Sequence, residues 1–439
     1  MAGPFYVDLA NPGAWNGRDG TNLLSPWLGV SGLQKAFDSV LVTEICYVKG
    51  EGDLSKFYSV AYDADNDTTL IDGEAVTWGV DATAGVGVVH ITSTTATSPG
   101  TVEIEVTSGA APADDLVITG STSGGTITPT AAIAMKGVDI DTQAGANATG
   151  YITFIGVTDF TPTYGARAIL DFNEDANSDD CITIGGAQDM YHFENIEVMG
   201  TAGSAKHGWS VPGNSADGCV WINCAANTCS GNGFNVPYAY YHTLIRCVSY
   251  NNTGHGFYVT GSGGGKEVFC AAYGNGDSGF YGVPAAVACI AHDNTDDGFE
   301  NVQCISLGCL LCVADGNGDD GFFASFSQHG PGTLLGCRGT NQSGAGDCGV
   351  YSVDPVLMGW CVFDNNTDNV NIAANMLLEI PSETDGVTST NNSINEGGAG
   401  GGDTNQGYAE AVANHNFATN YVSAADPTTR RTAITIPWT

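Results

Sequence analysis

Six carboxylates recur beside Gly-Phe pairs in the middle of this 439-residue chain. Repeated carboxylates could hold Ca²⁺, or they could supply the acid and the base or nucleophile that flank a scissile glycosidic bond. The predicted catalytic residues are Asp296, Asp297 and Asp320. The predicted Ca²⁺ ligands are Asp297, Glu300, Asp319 and Asp320. The alternative, which we favour for most aspartates here, is that Asp suits turns and solvates the outer surface.

Aromatic and imidazole side chains fall in the same repeats. Tyrosines are frequent between residues 238 and 281, and exposed tyrosine is a common platform for sugar rings. The predicted carbohydrate-binding residues are Tyr241, Tyr258 and Tyr281. Packing between subunits would explain exposed tyrosines equally well. His255 and His292 lie in Gly-rich or Asp-rich segments, and we expect surface imidazoles there.

A repeat of about 23 residues must position these groups. Seven cysteines mark it, spaced 23, 23, 19, 23, 25 and 24 residues apart: Cys224, Cys247, Cys270, Cys289, Cys312, Cys337 and Cys361. A Gly-Phe pair begins nine residues after each of the first five, giving Phe234, Phe257, Phe280, Phe299 and Phe322. Asparagines stand five residues after several of the cysteines, at 252, 275, 294, 317 and 366.

This template predicts a coil of short strands and turns that stacks on the next coil at about 4.8 Å. Like side chains then form cysteine, phenylalanine and asparagine ladders along the stack. Alternation places Ile245 and Cys247 on one face of a strand. The cysteine groups 304/309/312 and 219/224/229 lack a histidine at ligand spacing, so we interpret the ladder thiols as apolar packing.

These residues resemble the right-handed parallel β-helix superfamily, the pectate-lyase-like solenoids, in the form used by phage virion-surface and tail-spike proteins. Clear repeats cover 196–372, and fainter ones such as DDCITIGGAQDMYHFENIEVMG reach back to about 131. The opening GRDGTNLLSPWLGVSGLQKAFDSVL is similar to that family's cap, with a short helix over 32–37 covering the first coil. The resemblance implies an all-β solenoid with an N-terminal cap and a small β insertion domain.

Composition divides the chain into five segments. We expect a cap with the first coils over 1–71, an all-β insertion over 72–130 and the β-helix over 131–380. A Gly-rich linker follows over 381–407, then a C-terminal cap or intersubunit segment over 408–439. The insertion resembles the short "G-E-x-V-x-G-x-T-S-G" hairpin units of tailed-phage structural proteins.

Charge narrows the function. The chain has 12 Lys+Arg against 48 Asp+Glu, a formal net charge of −36. Nucleic-acid binding needs a basic surface, and anionic membranes repel such a chain. The opening residues have no basic and apolar signal pattern, so we expect synthesis in a cytosol with free thiols. We expect a virion location, with an extracellular one as the alternative.

The resulting expectation is a structural or adhesive phage protein: a capsid-surface decoration, tail spike or fibre that contacts host polysaccharide. Its expected partners are two further copies in a homotrimer and other virion proteins, with no cofactor unless Ca²⁺ binds. The alternative is a polysaccharide-degrading enzyme. A hydrolase is favoured over a polyuronate lyase, because residues 207–380 contain only Arg246, Lys266 and Arg338 as cations.

Overall fold

The structure is a computed structural model, and its description covers residues 4–385 with internal gaps. The gaps are 16, 63–69, 92–99, 131–132, 141–149, 161–166, 173–179, 186–189, 201–205, 213–216, 238–239, 261–263, 302–307, 325–331, 343–347, 353–355, 360, 365, 367, 373–377 and 380–382. The predicted C-terminal segment 408–439 lies outside the described residues, as does the linker 381–407 except for residues 383–385. Residues 238 and 304 also lie outside them.

Three parallel sheets, here called first, second and third, wrap around one apolar core. One coil contributes Val220–Ile222 to the first sheet, Ala225–Asn227 to the second and Phe234–Asn235 to the third. The strands of the next coil, 23 residues later, pair with them in parallel and in register. The chain is therefore an all-β, right-handed parallel β-helix, which confirms the predicted fold class.

The strands of each sheet follow in spatial order. The first sheet contains Trp27–Leu28, Phe5–Asp8, Ile45–Lys49, Ile152–Val157, Tyr191–Glu194, Val220–Ile222, Thr243–Ile245, Lys266–Val268, Ala285–Val287, Gly308–Leu310, Gly332–Leu335, Val356–Gly359 and Leu378–Glu379. The second contains Glu51–Asp53, Ala168–Asp171, Ile196–Met199, Ala225–Asn227, Val248–Tyr250, Ala271–Tyr273, Ile290–His292, Val313–Asp315, Arg338–Thr340, Val362–Asp364 and Glu383–Asp385. The third contains Val138–Ile140, Ile182–Ile184, Trp209–Ser210, Phe234–Asn235, Phe257–Tyr258, Phe280–Tyr281, Phe299–Glu300, Phe322–Ala324, Cys348–Ser352 and Asp368–Ile372.

An antiparallel sheet interrupts the solenoid near its N-terminal end. Its strands are Thr126–Ile127, Ile118–Gly120, Ala75–Trp78, Gly85–His90, Gly100–Gly109, Phe57–Tyr62 and Ala134–Met135. Short 3-10 helices occupy Leu54–Lys56 and Asp81–Thr83. This insertion sheet has its own apolar core, which includes Val76, Trp78 and Ile104. It therefore packs as a unit with its own interior beside the first coils.

The N-terminal cap is a helix, Gly29–Ser39, longer than the predicted 32–37. Its buried face packs into the solenoid end, where the Phe37 ring meets the Phe154 ring edge-on at 4.6 Å between centroids. The Glu105 carboxylate of the insertion sheet accepts the backbone N–H groups of Val30 and Ser31, both at 2.9 Å. An acidic group at a helix N-terminus stabilises the helix, so the insertion sheet and the cap support each other.

Each coil turns through a left-handed residue at two corners. The first corner, between the first and second sheets, uses the residue directly before the ladder cysteine, for example Arg246 with φ +55°. The prediction that Ile245 and Cys247 share one strand face is therefore wrong. Ile245 ends its strand half-buried on the outer side, the corner intervenes, and Cys247 is fully buried.

The interior carries the three side-chain ladders. The rings of Phe234, Phe257, Phe280, Phe299 and Phe322 stack with centroids 4.8–5.0 Å apart. The asparagine amides bond along the stack, since Asn252 Nδ2 donates to Asn275 Oδ1 at 2.9 Å and the pattern repeats. The seven ladder cysteines, Cys224, Cys247, Cys270, Cys289, Cys312, Cys337 and Cys361, are buried free thiols.

In the described part of the chain, no helix has the length and apolar character needed to cross a bilayer.

Candidate functional site

The third sheet brings the predicted acidic residues together on its outer side. The phenylalanine of each Gly-Phe pair points inward, so two columns of neighbouring residues run along the sheet. The column before the glycine reads Asn232, His255, Ser278, Asp297, Asp320 and Cys348. The column after the phenylalanine reads Asn235, Tyr258, Tyr281, Glu300, Phe323 and Tyr351. We call the part of this surface between residues 255 and 323, with Asp277, Asp296 and Asp319, the acidic face.

Two aspartates of the acidic face are nearly buried. Asp297 and Asp320 have 5% and 7% of their surface exposed. Asp297 Oδ1 accepts the backbone N–H of Asp320 at 2.8 Å, and Asp320 Oδ1 accepts that of Cys348 at 2.8 Å. Each carboxylate therefore ties its coil to the following one. The interpretation of these aspartates as groups that solvate the surface does not hold for this pair.

The neighbouring carboxylates are more accessible. Asp296 and Glu300 are partly exposed and Asp319 is exposed. The hydroxyl of buried Ser278 donates to Glu300 Oε2 at 2.5 Å, and it lies 3.4 Å from Asp296 Oδ2. The Ser278 hydroxyl thus holds the carboxylates of Glu300 and Asp296 close together at the surface. Any substrate or ion would meet these three carboxylates before it met Asp297.

Burial and like charge raise several pKa values here. Burial is the main cause that raises the pKa of Asp297 to about 9, with the charge of Asp320 adding to it. Burial also raises the pKa of Glu300 to about 6, while the bond from Ser278 opposes the shift. The pKa of Asp296 is raised by burial and then by Asp277. Protons or a cation must therefore offset the stacked charge.

Three overlapping groups could hold a cation. They are His255 with Asp277 and Glu300, Asp296 with Asp297 and Glu300, and Asp297 with Asp319 and Asp320. Within each group the ligand atoms lie no more than 4.8 Å from one another. Ca²⁺ takes oxygen ligands at 2.3–2.6 Å, so opposite ligands are separated by about 4.6–5.2 Å. The two groups made only of carboxylates therefore fit Ca²⁺ in chemistry and in spacing.

The sequence predicts a surface imidazole at His255, and this prediction is wrong, because the His255 side chain is only 13% exposed. Its ring lies 4.7 Å from the Tyr281 ring and 5.4 Å from the Tyr258 ring, between centroids. Its Nε2 lies 3.3 Å from Asp277 Oδ2. Burial lowers the pKa of His255 although Asp277 opposes the shift, which favours a neutral imidazole at the acidic face. His292, on the second sheet, keeps a 37% exposed side chain beside Asp293.

The predicted sugar-binding tyrosines are placed differently from one another. Tyr258 and Tyr281 stack face to face, 4.9 Å apart at 14°. The two faces that meet in this stack are covered by each other, so a sugar ring cannot reach them. Tyr241 is 70% exposed in the turn that leads to the first sheet. Among the described residues, no ring contact joins it to the other two.

A second stack of rings, absent from the predictions, lies on the second sheet. Tyr250, Tyr273 and His292 stack 5.1 and 5.0 Å apart. The Tyr250 hydroxyl donates to Glu197 at 3.1 Å, and Arg167 lies 3.3 Å from the same carboxylate. Aligning the coils by their cysteines would have found this stack, and the same alignment puts His255 and Ser278 in the column of Asp297.

The cations of residues 207–380 lie away from the acidic face. Lys266 opens a strand of the first sheet, and Arg338 opens one of the second. Arg246 occupies the corner between those two sheets. These are the only Lys or Arg residues between 207 and 380 in the sequence. The field at the acidic face therefore disfavours a negatively charged polymer unless a cation mediates.

No protein-family model and no curated protein matches the sequence. Among solved structures, the pectate lyase Pel9A shares 15% identity at a TM-score of 0.49, covering 90% of this chain and 81% of that one. The mannuronan C-5 epimerase AlgE6 A-module of Azotobacter vinelandii shares 16% identity at 0.39, covering 51% and 63%. The tailspike gp49 of Pseudomonas phage LKA1 shares 10% at 0.18, covering 79% and 66%.

These likenesses are too distant to assign an activity. The strand order and register within this chain establish the parallel β-helix independently. A fold alone does not determine function, which depends on the side chains of the acidic face.

Proposed function

We propose that the protein is a glycan-contacting solenoid of a phage virion, and that its acidic face binds host polysaccharide. The observation that carries the proposal is a single column of outer side chains in which two tyrosines are followed by a carboxylate. The Tyr258–Tyr281 stack leads directly into Glu300 in the next coil, beside Asp296 and Asp277. Hydroxyl groups and carboxylates along one straight face suit a repeating, hydroxyl-rich polymer.

The chemistry of binding follows from what the face exposes. The two phenol edges offer hydroxyls that both donate and accept hydrogen bonds. The partly exposed carboxylates accept from sugar hydroxyls, and such charge-assisted bonds are stronger than neutral ones. The lack of cations on this face supports a neutral glycan. An acidic glycan would need a bridging cation.

Calcium is the cofactor that fits this face. Asp296, Asp297 and Glu300 would hold it, or Asp297 with Asp319 and Asp320. When bound, Ca²⁺ supplies positive charge that can attract hydroxyl or carboxylate oxygens of a glycan. The pKa of Asp297 is raised first by burial and then by the charge of Asp320, so Ca²⁺ that binds through Asp297 would displace its proton.

The virion assignment has separate support. A rigid solenoid with an end cap and an antiparallel insertion sheet suits a particle surface, and residues 72–130 resemble phage hairpin units. Peptide mass spectrometry of purified particles from a lysate tests it. Peptides of this chain should co-purify with the particles, and their confinement to the soluble fraction would contradict the assignment.

A binding comparison tests the acidic face. Tyr258→Phe with Tyr281→Phe removes two hydroxyls but keeps the ring stack. We expect at least tenfold weaker binding to host capsular or cell-wall polysaccharide in calorimetry. The matched control, Tyr250→Phe with Tyr273→Phe, makes the same change on the second sheet and should leave affinity unchanged. Equal affinity for all three proteins would contradict the proposal.

Hydrolysis of a glycan is the second candidate function. It is favoured by Glu300, whose pKa burial raises to about 6 and whose carboxyl group lies beside that of Asp296. Partly exposed Glu300 would protonate the glycosidic oxygen, and Asp296 would act as base or nucleophile. A reducing-end assay tests this. Turnover should vanish in Glu300→Gln while glycan binding persists, and turnover unchanged in that variant would rule out the assignment.

A further inference from the structure

The corner between the first and second sheets carries an apolar stripe along the solenoid. On its first-sheet side, half-buried outer residues stack in register: Ile245, Val268, Val287 and Leu310. On its second-sheet side the same holds for Val248, Ala271, Ile290 and Val313. Between them runs the corner itself, with Phe269 and Leu311 exposed by 42% and 57%. We call these three columns the corner stripe.

The corner residues are unusual for their backbone conformation. Phe269 and Leu311 both have φ +57°, a region that L side chains other than Asn and Asp seldom adopt. In the coils that carry Phe269 and Leu311 and their neighbours, the other corner repeats the left-handed turn with residues suited to it: Asn251, Gly274, Asp293, Gly316 and Asn341. Turn formation therefore explains the second corner but does not explain large apolar side chains at the first. Leu311 lies over Gly336 of the next coil, yet packing within the chain leaves 42% of Phe269 and 57% of Leu311 exposed.

The charge distribution singles out the same surface. None of the twelve positions in the corner stripe is a carboxylate, although the chain has 48 Asp+Glu and a net charge of −36. Arg246 lies within the stripe, and Lys266 and Arg338 open strands at its border. Two of the three cations of residues 207–380, Arg246 and Arg338, are thus at this corner, and Lys266 lies at the far end of the strand that leads to it. An acidic partner can approach here without carboxylates meeting carboxylates.

We propose that the corner stripe is the surface through which copies of this chain associate side by side. A second copy carries the same net charge of −36, and the carboxylate-free stripe is where two copies can approach without carboxylates facing each other. Its coils repeat at the same spacing of about 4.8 Å, so apolar columns can stay matched along the stack. From Ile245 to Leu310 the stripe spans three coil steps, or about 14 Å. This inference does not depend on glycan binding by the acidic face.

Replacement of the exposed corner residues tests the proposal. Phe269→Asn with Leu311→Asn removes apolar area while fitting the left-handed backbone, so the coil itself should still fold. In light scattering, the full wild-type chain should have at least twice the monomer mass of 45.2 kDa. The double variant should have the monomer mass. The matched control, Asp293→Asn at the other corner, should keep the wild-type mass. A monomeric wild type, or a variant with unchanged mass, would overturn the proposal.

A crosslinking experiment separates a second copy from other occupants of the stripe. A photoreactive amino acid at position 311 in place of leucine should give crosslinked dimers, with peptides from this chain identified by mass spectrometry. Crosslinks only within one chain would show that another segment covers the stripe. Crosslinks only to other virion proteins would show a different partner. Either result would overturn self-association through this surface.

Discussion

The acidic face and the corner stripe are built by the same coils, yet they stack opposite kinds of side chain. Coil register places Asp297 beside Asp320 on one side, and Val287 beside Leu310 on the other. Stacking at one coil spacing makes the side chains at equivalent positions of adjacent coils nearest neighbours. On the acidic face this produces repulsion that a ligand can relieve. On the corner stripe it produces continuous apolar area that a partner can bury.

A ladder repeats the same kind of side chain at one position of successive coils, so its effect adds up along the stack. Asn252 and its successors satisfy each other inside the coil, so repetition there gives stability. The stacked carboxylates do not satisfy each other, and the exposed Leu311 has no apolar shield on its solvent side. The two outer surfaces therefore depend on something external, and the interior does not.

The largest expected effect comes from breaking the interior beneath each surface. Phe280→Ala, under the acidic face, removes a fully buried ring stacked at 4.8 Å on both sides, so we expect a loss of about 3–5 kcal/mol. Cys270→Ala, under the corner stripe, removes only a thiol and should cost about 1 kcal/mol. Urea unfolding of both variants measures the difference. Equal losses of unfolding free energy in the two variants would mean that the interior beneath the acidic face contributes no more stability than the interior beneath the corner stripe.

Calcium should affect one surface alone. At a free concentration of a hundred times its Kd, Ca²⁺ binding to the folded state should stabilise the chain by about 2.7 kcal/mol. Asp296→Asn with Glu300→Gln should abolish the gain, whereas Phe269→Asn with Leu311→Asn should retain it. Thermal unfolding with Ca²⁺, and with Mg²⁺ as the control ion, checks this. A gain that survives loss of both carboxylates would place the cation elsewhere.

Stability should also fall as pH rises. The folded-state pKa of Asp297 is about 9 and its ordinary value is 3.8, so the folded state retains a proton that the unfolded state releases. The associated stability is complete below pH 3.8 and is lost progressively up to about pH 9. Without Ca²⁺, we expect a decrease of about 2 kcal/mol or more between pH 5 and pH 9.

Asp297→Asn is the matched variant for that pH profile, since its amide oxygen can still accept the N–H of Asp320. Its profile should be flatter than that of the wild type in thermal unfolding. A profile as steep as that of the wild type would assign the titration to another group.

The smallest expected effect concerns the strain of the corner stripe. Leu311→Asn should raise the stability of the isolated monomer by about 0.5–1 kcal/mol, because Asn tolerates φ +57° better than Leu. Asp293→Asn at the other corner should change it by less than about 0.5 kcal/mol. Chemical denaturation at low protein concentration measures both. A destabilised Leu311→Asn monomer would show that the leucine packs within its own chain.

The sequence predicts the interior better than the corners or the surfaces. The cysteine spacing and the Gly-Phe pairs report core positions, because every coil must fill the same space. A period-two pattern does not detect the left-handed residue before Cys247, so it predicts the wrong face for Ile245. The burial of His255 depends on Tyr281 in the next coil, and only coil-by-coil alignment brings the two together.

The contact between Glu105 and the cap helix has a consequence for synthesis on the ribosome. The helix emerges early, but the carboxylate that satisfies Val30 and Ser31 follows about 75 residues later. The ring that packs on Phe37 comes later still, at Phe154. The cap helix is thus translated well before the residues that cover its buried face. During that interval the nascent chain exposes an apolar helix face, and chaperones or slow release would matter most there.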